Sequence, residues 1–407
     1  ASSTVADTDT DTDTELSSFF DDDLDVGQLP RRRYQPKLEF DGVSLQMGYY
    51  SGFLSGIAQL SMSDLLGNHS ASMFTDYVGS QEISNDFTFA LSYAYFGRRA
   101  TYSATIFNWN QYYNDTQGRG PIGGYYPVGT TSLTQGLIRS RQSGLLADVT
   151  YPLDVFRRVE LSYSFVDEVR EVAWPVTEPV EAFGTHLVKT AYVHDSLNNG
   201  LLGPTAGRRY YISVGRAFEL VDGDRSFTHL EADYRHYFRL GKWSVLGIRG
   251  VGVGSLGRDG LAYNLGGPAW FLPFSPGYNL NLGPLRGYSF SEFSGSRVVL
   301  LNSEIRVPFI RNITFGWPGN FAIPAVDGAF FVDVGGAWNK SQNLNLWPLQ
   351  DPLVPYSPAT DEARLQGGMG FSFLVYFLAP LNFEFARRTD FREYSDWRMH
   401  FSFGKAF

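Results

Sequence analysis

The sequence predicts an all-β fold, a membrane-spanning antiparallel β-barrel of about sixteen strands. Three observations point there. Apolar and polar residues alternate with a period of two along segments roughly ten residues long. The composition, with 43 Gly, 24 Tyr, 33 Phe and 8 Trp in 407 residues, suits strands, turns and aromatic belts. No uninterrupted apolar run reaches the roughly 18 residues of a spanning helix, so a membrane role requires a closed barrel. A soluble β-sandwich is the competing architecture, and a soluble enzyme is disfavoured by the composition.

The chain opens with Ala1 rather than Met, as expected of a processed chain or an excised fragment. Its first 29 residues hold nine acids (Asp7, Asp9, Asp11, Asp13, Glu15, Asp21, Asp22, Asp23 and Asp25) and no Lys or Arg. They account for the whole formal net charge of −9, so the acidity belongs to the tail and the remainder is neutral. Residues 1–36 therefore read as an acidic disordered linker or tail, and residues 37–407 as the barrel. The Asp-Thr run lacks the turn-forming Gly of calcium loops, so no metal is assigned to it.

Strand-like runs follow near residues 40–50, 53–62, 69–79, 84–97, 99–111, 133–151, 155–169 and 184–196. A further eight lie near 208–219, 225–240, 243–256, 296–308, 326–338, 364–376, 378–388 and 395–405. Phe87, Phe89, Leu91, Tyr93 and Tyr95 alternate with Thr88, Ala90, Ser92 and Ala94. Val159, Leu161, Tyr163 and Phe165 alternate with Glu160, Ser162 and Ser164, and Leu381, Phe383 and Phe385 with Asn382 and Glu384. In a barrel this places apolar side chains toward lipid and polar ones toward the lumen. The last run sets Trp397, Met399, Phe401 and Phe403 against Arg398, His400, Ser402 and Gly404, and the chain stops at Phe407. The longest connections, near 112–132, 257–295 and 339–363, are expected on the extracellular side.

Within the second of these connections stands Leu285-Arg286-Gly287-Tyr288. Arg286 cannot shed its proton, so inside a barrel it needs carboxylate partners or a water-filled lumen. Glu304 in NSEIRVPF and Asp333 in FFVDVGGAW are the candidates. Phe331 and Gly335 flank Asp333 at two-residue spacing, so all three share one strand face.

In order along the chain, DLLGN at 64–68, HDSLNNGLLGPTAG at 194–207, DYRHY at 233–237, LRGY at 285–288, SEIRVP at 303–308, FVDVG at 331–335 and the terminal GKAF at 404–407 form a specific set. Together they resemble the BamA/TamA-like outer-membrane assembly and translocation superfamily, also called bacterial surface antigens, over about residues 37 to 407. That resemblance implies a loop folded back into the lumen, with Arg286 paired to Asp333 and Glu304. Gly287 would let the backbone turn, and Tyr288 would pack its ring while its hydroxyl finds a partner. It implies a terminal-strand assembly signal and a weak first-to-last seam, here carried by Phe401, Phe403, Gly404 and Phe407. Gly42 and Gly48 would loosen the first strand. By the same resemblance the protein sits in the bacterial outer membrane and assists insertion or translocation of client outer-membrane or secreted proteins. It would use no cofactor, with outer-membrane lipid and accessory periplasmic or lipoprotein subunits as further partners. A passive secretion pore or an anchor for an upstream domain is the alternative. The periplasmic POTRA domains common in that superfamily do not fit in the 36 residues before the barrel.

Enzymatic signals are weak. Gly252, Gly254 and Gly257 form GxGxxG, but the segment ends a strand and runs into Arg-Asp-Gly rather than a helix. The six His include no HExxH, GxSxG is absent, and zero Cys excludes thiolate metal sites and a Cys nucleophile. Glu160 and Glu384 read as hydrated lumen lining rather than an acid/base pair. Neither an enzyme nor a nucleic-acid partner is expected.

Overall fold

The computed structural model describes residues 34–50, 53–78, 88–114, 137–174, 178–200, 203–221, 224–267, 282–289, 292–310, 313–316, 321–323, 325–354, 362–376 and 380–403. The chain divides into two units, Ala1–Lys37 and Leu38–Phe407. Of the first, residues 34–37 are described and carry no regular structure, so most of the acidic tail lies outside the described residues.

Among the described residues, the second unit is built on sixteen long strands. The first eight are β1 (Leu38–Tyr50), β2 (Phe53–Asp64), β3 (His69–Val78), β4 (Thr88–Tyr95), β5 (Thr101–Asn114), β6 (Leu137–Pro152), β7 (Arg157–Trp174) and β8 (Glu178–Asp195). The second eight are β9 (Gly203–Phe218), β10 (Phe227–Arg239), β11 (Val245–Gly257), β12 (Arg297–Ile310), β13 (Ala325–Trp338), β14 (Gln366–Tyr376), β15 (Pro380–Arg388) and β16 (Arg398–Phe403). Each pairs antiparallel with the next, giving an uninterrupted meander from β1 to β16. Connections after odd strands therefore share one end of the sheet, and the three longest, after β5, β11 and β13, are all there. Short two-stranded pairings, such as Tyr263–Leu265 with Phe293–Gly295, decorate the connections.

Every strand-like run of the sequence coincides with a long strand, with shifts at the ends. The run expected at 184–196 begins instead at Glu178, beyond a register shift at which Pro179 stands opposite Glu171.

The burial pattern inverts that of a soluble sheet. On β12, Asn302 and Glu304 are buried, whereas Leu301, Ile305, Val307 and Phe309 are exposed. On β15, Asn382 and Glu384 are buried, and on β7 Ser164 is buried while Leu161 is exposed. Polar side chains inside and apolar ones outside suit a lipid-facing exterior. Inward apolar residues nevertheless line one level, from Phe74 on β3 and Trp109 on β5 to Val298 on β12 and Ala337 on β13.

Candidate functional site

The candidate site forms where the β11–β12 connection meets the inner faces of β12 to β15. Leu261, Tyr263, Leu265, Leu282, Leu285 and Phe293 from this connection join the inward apolar residues in a single buried cluster. Burying those side chains is what drives the segment inward, at roughly 1.5–3 kcal/mol for each large one. The backbone is tied as well, by Gly267 N–H to the Leu285 carbonyl (3.2 Å) and Leu282 N–H to the Asn264 carbonyl (3.3 Å).

Arg286 lies at the bottom of this segment with 0% of its surface exposed. Its Nε and Nη2 donate to the two oxygens of Asp333, each at 2.7 Å, and its backbone N–H donates to Asp333 Oδ2 at 3.1 Å. Nη1 reaches Glu304 Oε2 at 3.3 Å. The guanidinium carbon stands 3.6 Å from the centroid of the Phe331 ring, on its flat face. A planar cation thus has its fork met by one carboxylate, its remaining nitrogen by another, and one face covered by an aromatic ring. Desolvation opposes the charge, but Asp333 and then Glu304 more than offset it, so Arg286 holds its proton more tightly than an ordinary guanidinium.

The neighbours are shaped for this seat. Gly287 has φ +97, and a Cβ there would stand 2.9 Å from the Arg387 carbonyl carbon. Tyr288 donates its hydroxyl to the Gly367 carbonyl at 3.0 Å and packs edge-on against Phe293, ring centroids 5.1 Å apart. Gly335 is buried, and a Cβ there would come within 2.9 Å of the Val299 carbonyl oxygen. The eight residues Leu285, Arg286, Gly287, Tyr288, Glu304, Phe331, Asp333 and Gly335 are therefore brought together. The terminal-strand residues are elsewhere: Phe401 is exposed on β16, only the backbone of Phe403 is described, and Gly404 and Phe407 lie outside the described residues.

Several contributing residues escaped sequence reasoning. Asn302 donates from Nδ2 to both Asp333 Oδ1 and the Pro284 carbonyl, each at 2.8 Å. Gly368 faces the Arg286 carbonyl oxygen so closely that a Cβ would collide with it. Arg388 ion-pairs with Glu292 at 2.9 Å and donates to the Gly287 carbonyl at 3.3 Å. A second inward network joins Asp233 to Arg235 and Arg249, both at 2.9 Å. The DYRHY block was the available signal for that network, since its first and third residues share a face. Glu384 corrects an expectation: it is fully buried, with Oε1 accepting from Asn382 Nδ2 at 2.9 Å, rather than hydrated lining. The loop segment covers the inner wall there and excludes the water that an open lumen would supply.

No nucleophile is paired with a base at this site, and no group of three or more His, Cys, Asp or Glu among the described residues is placed to hold a metal ion. The Omp85 superfamily domain model matches residues 78–407. Among solved structures, the chain is similar to BamA from Haemophilus ducreyi lacking POTRA domains 1-3, with a TM-score of 0.58 and 16% identity over 91% of this chain and 70% of that one. It is also similar to CdiB from Escherichia coli, with a TM-score of 0.54 and 12% identity over 91% of this chain and 67% of that one. At such identities the likeness speaks for a shared barrel fold. A comparison with curated proteins gives no match.

Proposed function

The chain belongs to the Omp85 superfamily, and on that premise we propose that it assists insertion or translocation of client proteins in the bacterial outer membrane, with its β11–β12 loop held in the lumen by Arg286. The work is mechanical, with no cofactor and no covalent change. An open first-to-last seam offers unpaired strand edges to a client, which lowers the cost of carrying backbone polar groups into the bilayer. The seat of Arg286 on Asp333 and Glu304 keeps the neighbouring wall in register while that seam works.

The observation that carries this reading is the buried loop itself. Leu285, Phe293 and their neighbours are buried against inward apolar residues of the strands, a packing that an open conduit does not need.

The zero Cys content makes the test clean. Cys pairs, one within residues 40–50 and one within 395–405, are crosslinked in proteoliposomes and client insertion is compared before and after reduction. Insertion should be lost when the seam is locked and return on reduction. Full insertion through a covalently closed seam refutes the proposal.

A further inference from the structure

The β8–β9 connection, at the opposite end of the sheet from the loop, is tied to the same inner wall. Its arm Asn198–Gly200 pairs with the first residues of β9 as a small hairpin of its own, with a register shift between Pro204 and Ala206. The bend is at Gly207, with φ +94, where a Cβ would collide with the Ser196 carbonyl oxygen.

Register shows how far the arm has turned. Gly207, Tyr237, Gly247 and Glu304 stand in one row across β9, β10, β11 and β12. Three interstrand steps of about 4.8 Å separate β9 from β12 along the wall, roughly 14 Å. An arginine side chain, six bonds of about 1.5 Å, extends only about 7 Å from its Cα. Yet Arg306 Nη1, on β12, donates to the Pro204 carbonyl at 3.3 Å. The Gly203–Ala206 arm has therefore left the wall and turned inward. The Arg306 guanidinium carbon passes 5.0 Å from the Tyr237 ring centroid, and Arg239 Nη2 reaches Thr205 Oγ1 at 3.5 Å.

Glu304 lies between the two ends. Its Oε1 is 2.7 Å from Arg306 Nε and its Oε2 is 3.3 Å from Arg286 Nη1, with 3% of its side chain exposed. Two guanidiniums share one nearly buried carboxylate, one holding the loop and the other the hairpin arm. With Asp333 they make a neutral foursome, in which loss of either cation leaves excess negative charge against the other.

We infer that Arg306 braces the Gly203–Ala206 arm inward and that Glu304 couples this brace to the Arg286 seat, so that loosening one end loosens the other. Glu304 and Arg306 are positioning residues for the loop. This inference stands on geometry alone and does not rest on the seam proposal.

Pulsed EPR on the full chain tests it. Spin labels at Asn199 and Lys242 report the arm, and labels at Ser289 and Lys340 report the loop. Both distance distributions should be narrow in the wild type. Arg306→Ala should broaden the arm distribution about twofold and the loop distribution as well, as expected of one cooperative unit. Glu304→Gln, which keeps the shape, should broaden both. Heat-modifiable gel migration checks that each variant forms a barrel, and Arg306→Lys replaces any that does not. An arm that stays narrow without Arg306 overturns the brace; an arm that broadens while the loop stays narrow overturns the coupling.

Discussion

Arg286→Ala removes the cation from a seat in which Asp333 is fully buried and Glu304 nearly so. At an effective dielectric of about 20 and a charge separation of about 4 Å, each close pair contributes on the order of 4 kcal/mol of Coulomb attraction. Burial of the three groups offsets much of this, so the net value of the seat is smaller than the sum of its pairs. Deleting only the arginine gives back its own desolvation but none of that of the two carboxylates. It leaves Asp333 fully buried and Glu304 nearly so, with the loss of the guanidinium charge uncompensated. The expected loss is about 3–5 kcal/mol, the range for breaking a buried pair from one side. Arg286→Lys should lose about 2 kcal/mol, since one ammonium cannot reproduce both 2.7 Å bonds to Asp333 or lie flat on Phe331.

The assay is urea unfolding of the reconstituted barrel, followed by Trp fluorescence, in a double-mutant cycle of Arg286→Ala with Asp333→Asn. The coupling energy should be about 3 kcal/mol, because the second substitution removes a charge that the first had stranded. A coupling below about 1 kcal/mol, the value of a solvent-exposed pair, would refute the claim that the loop is held by a desolvated ion pair.

Two further outcomes are expected. Gly368→Ala should cost about 1–3 kcal/mol because its Cβ meets the Arg286 carbonyl, whereas Gly252→Ala, with nothing within 4 Å, should be neutral or stabilising by up to about 1 kcal/mol; equal urea midpoints for the two would remove the proposed close approach at Gly368. In the β6–β7 turn, Asp154 is held below its ordinary carboxylate pKa by Arg157 and by the N–H groups of Phe156 and Arg157. A depressed folded pKa gives stability that is fully present above the unfolded value of about 3.9 and lost as pH falls through the folded one. The gap in thermal midpoint between wild type and Asp154→Asn should therefore be present at neutral pH and close on acidification; a gap that persists in strong acid contradicts this assignment.

The strands were legible because their period of two is written in every segment: Leu161 outward with Ser164 inward, Phe383 outward with Asn382 inward. Parity alone could not select the partners of Arg286, because Glu231, Asp233, Glu304, Asp333 and Glu384 all point inward. Register selects among them, and register is a property of strand pairs that no single strand encodes. Asp333 stands opposite Asn302 on one side and Gly368 on the other. The first donates to its carboxylate, and the second leaves the space through which the Arg286 backbone passes. In sequence, Asn302 is one polar residue among many and Gly368 one of 43 glycines. The same limit explains Arg306, whose bond to Pro204 joins residues 102 positions apart across two intervening strands. A charge that cannot be lost by deprotonation announces its need for a partner from sequence alone, whereas a small residue that makes room, or an arginine met by an arm turned inward from another strand, acquires meaning only when the wall is assembled. The contacts of Arg286 with Asp333 and Glu304 were therefore readable from their charges, and the contact of Arg306 with Pro204 was not, because what distinguishes Arg306 from an ordinary lumen arginine is the inward turn at Gly207.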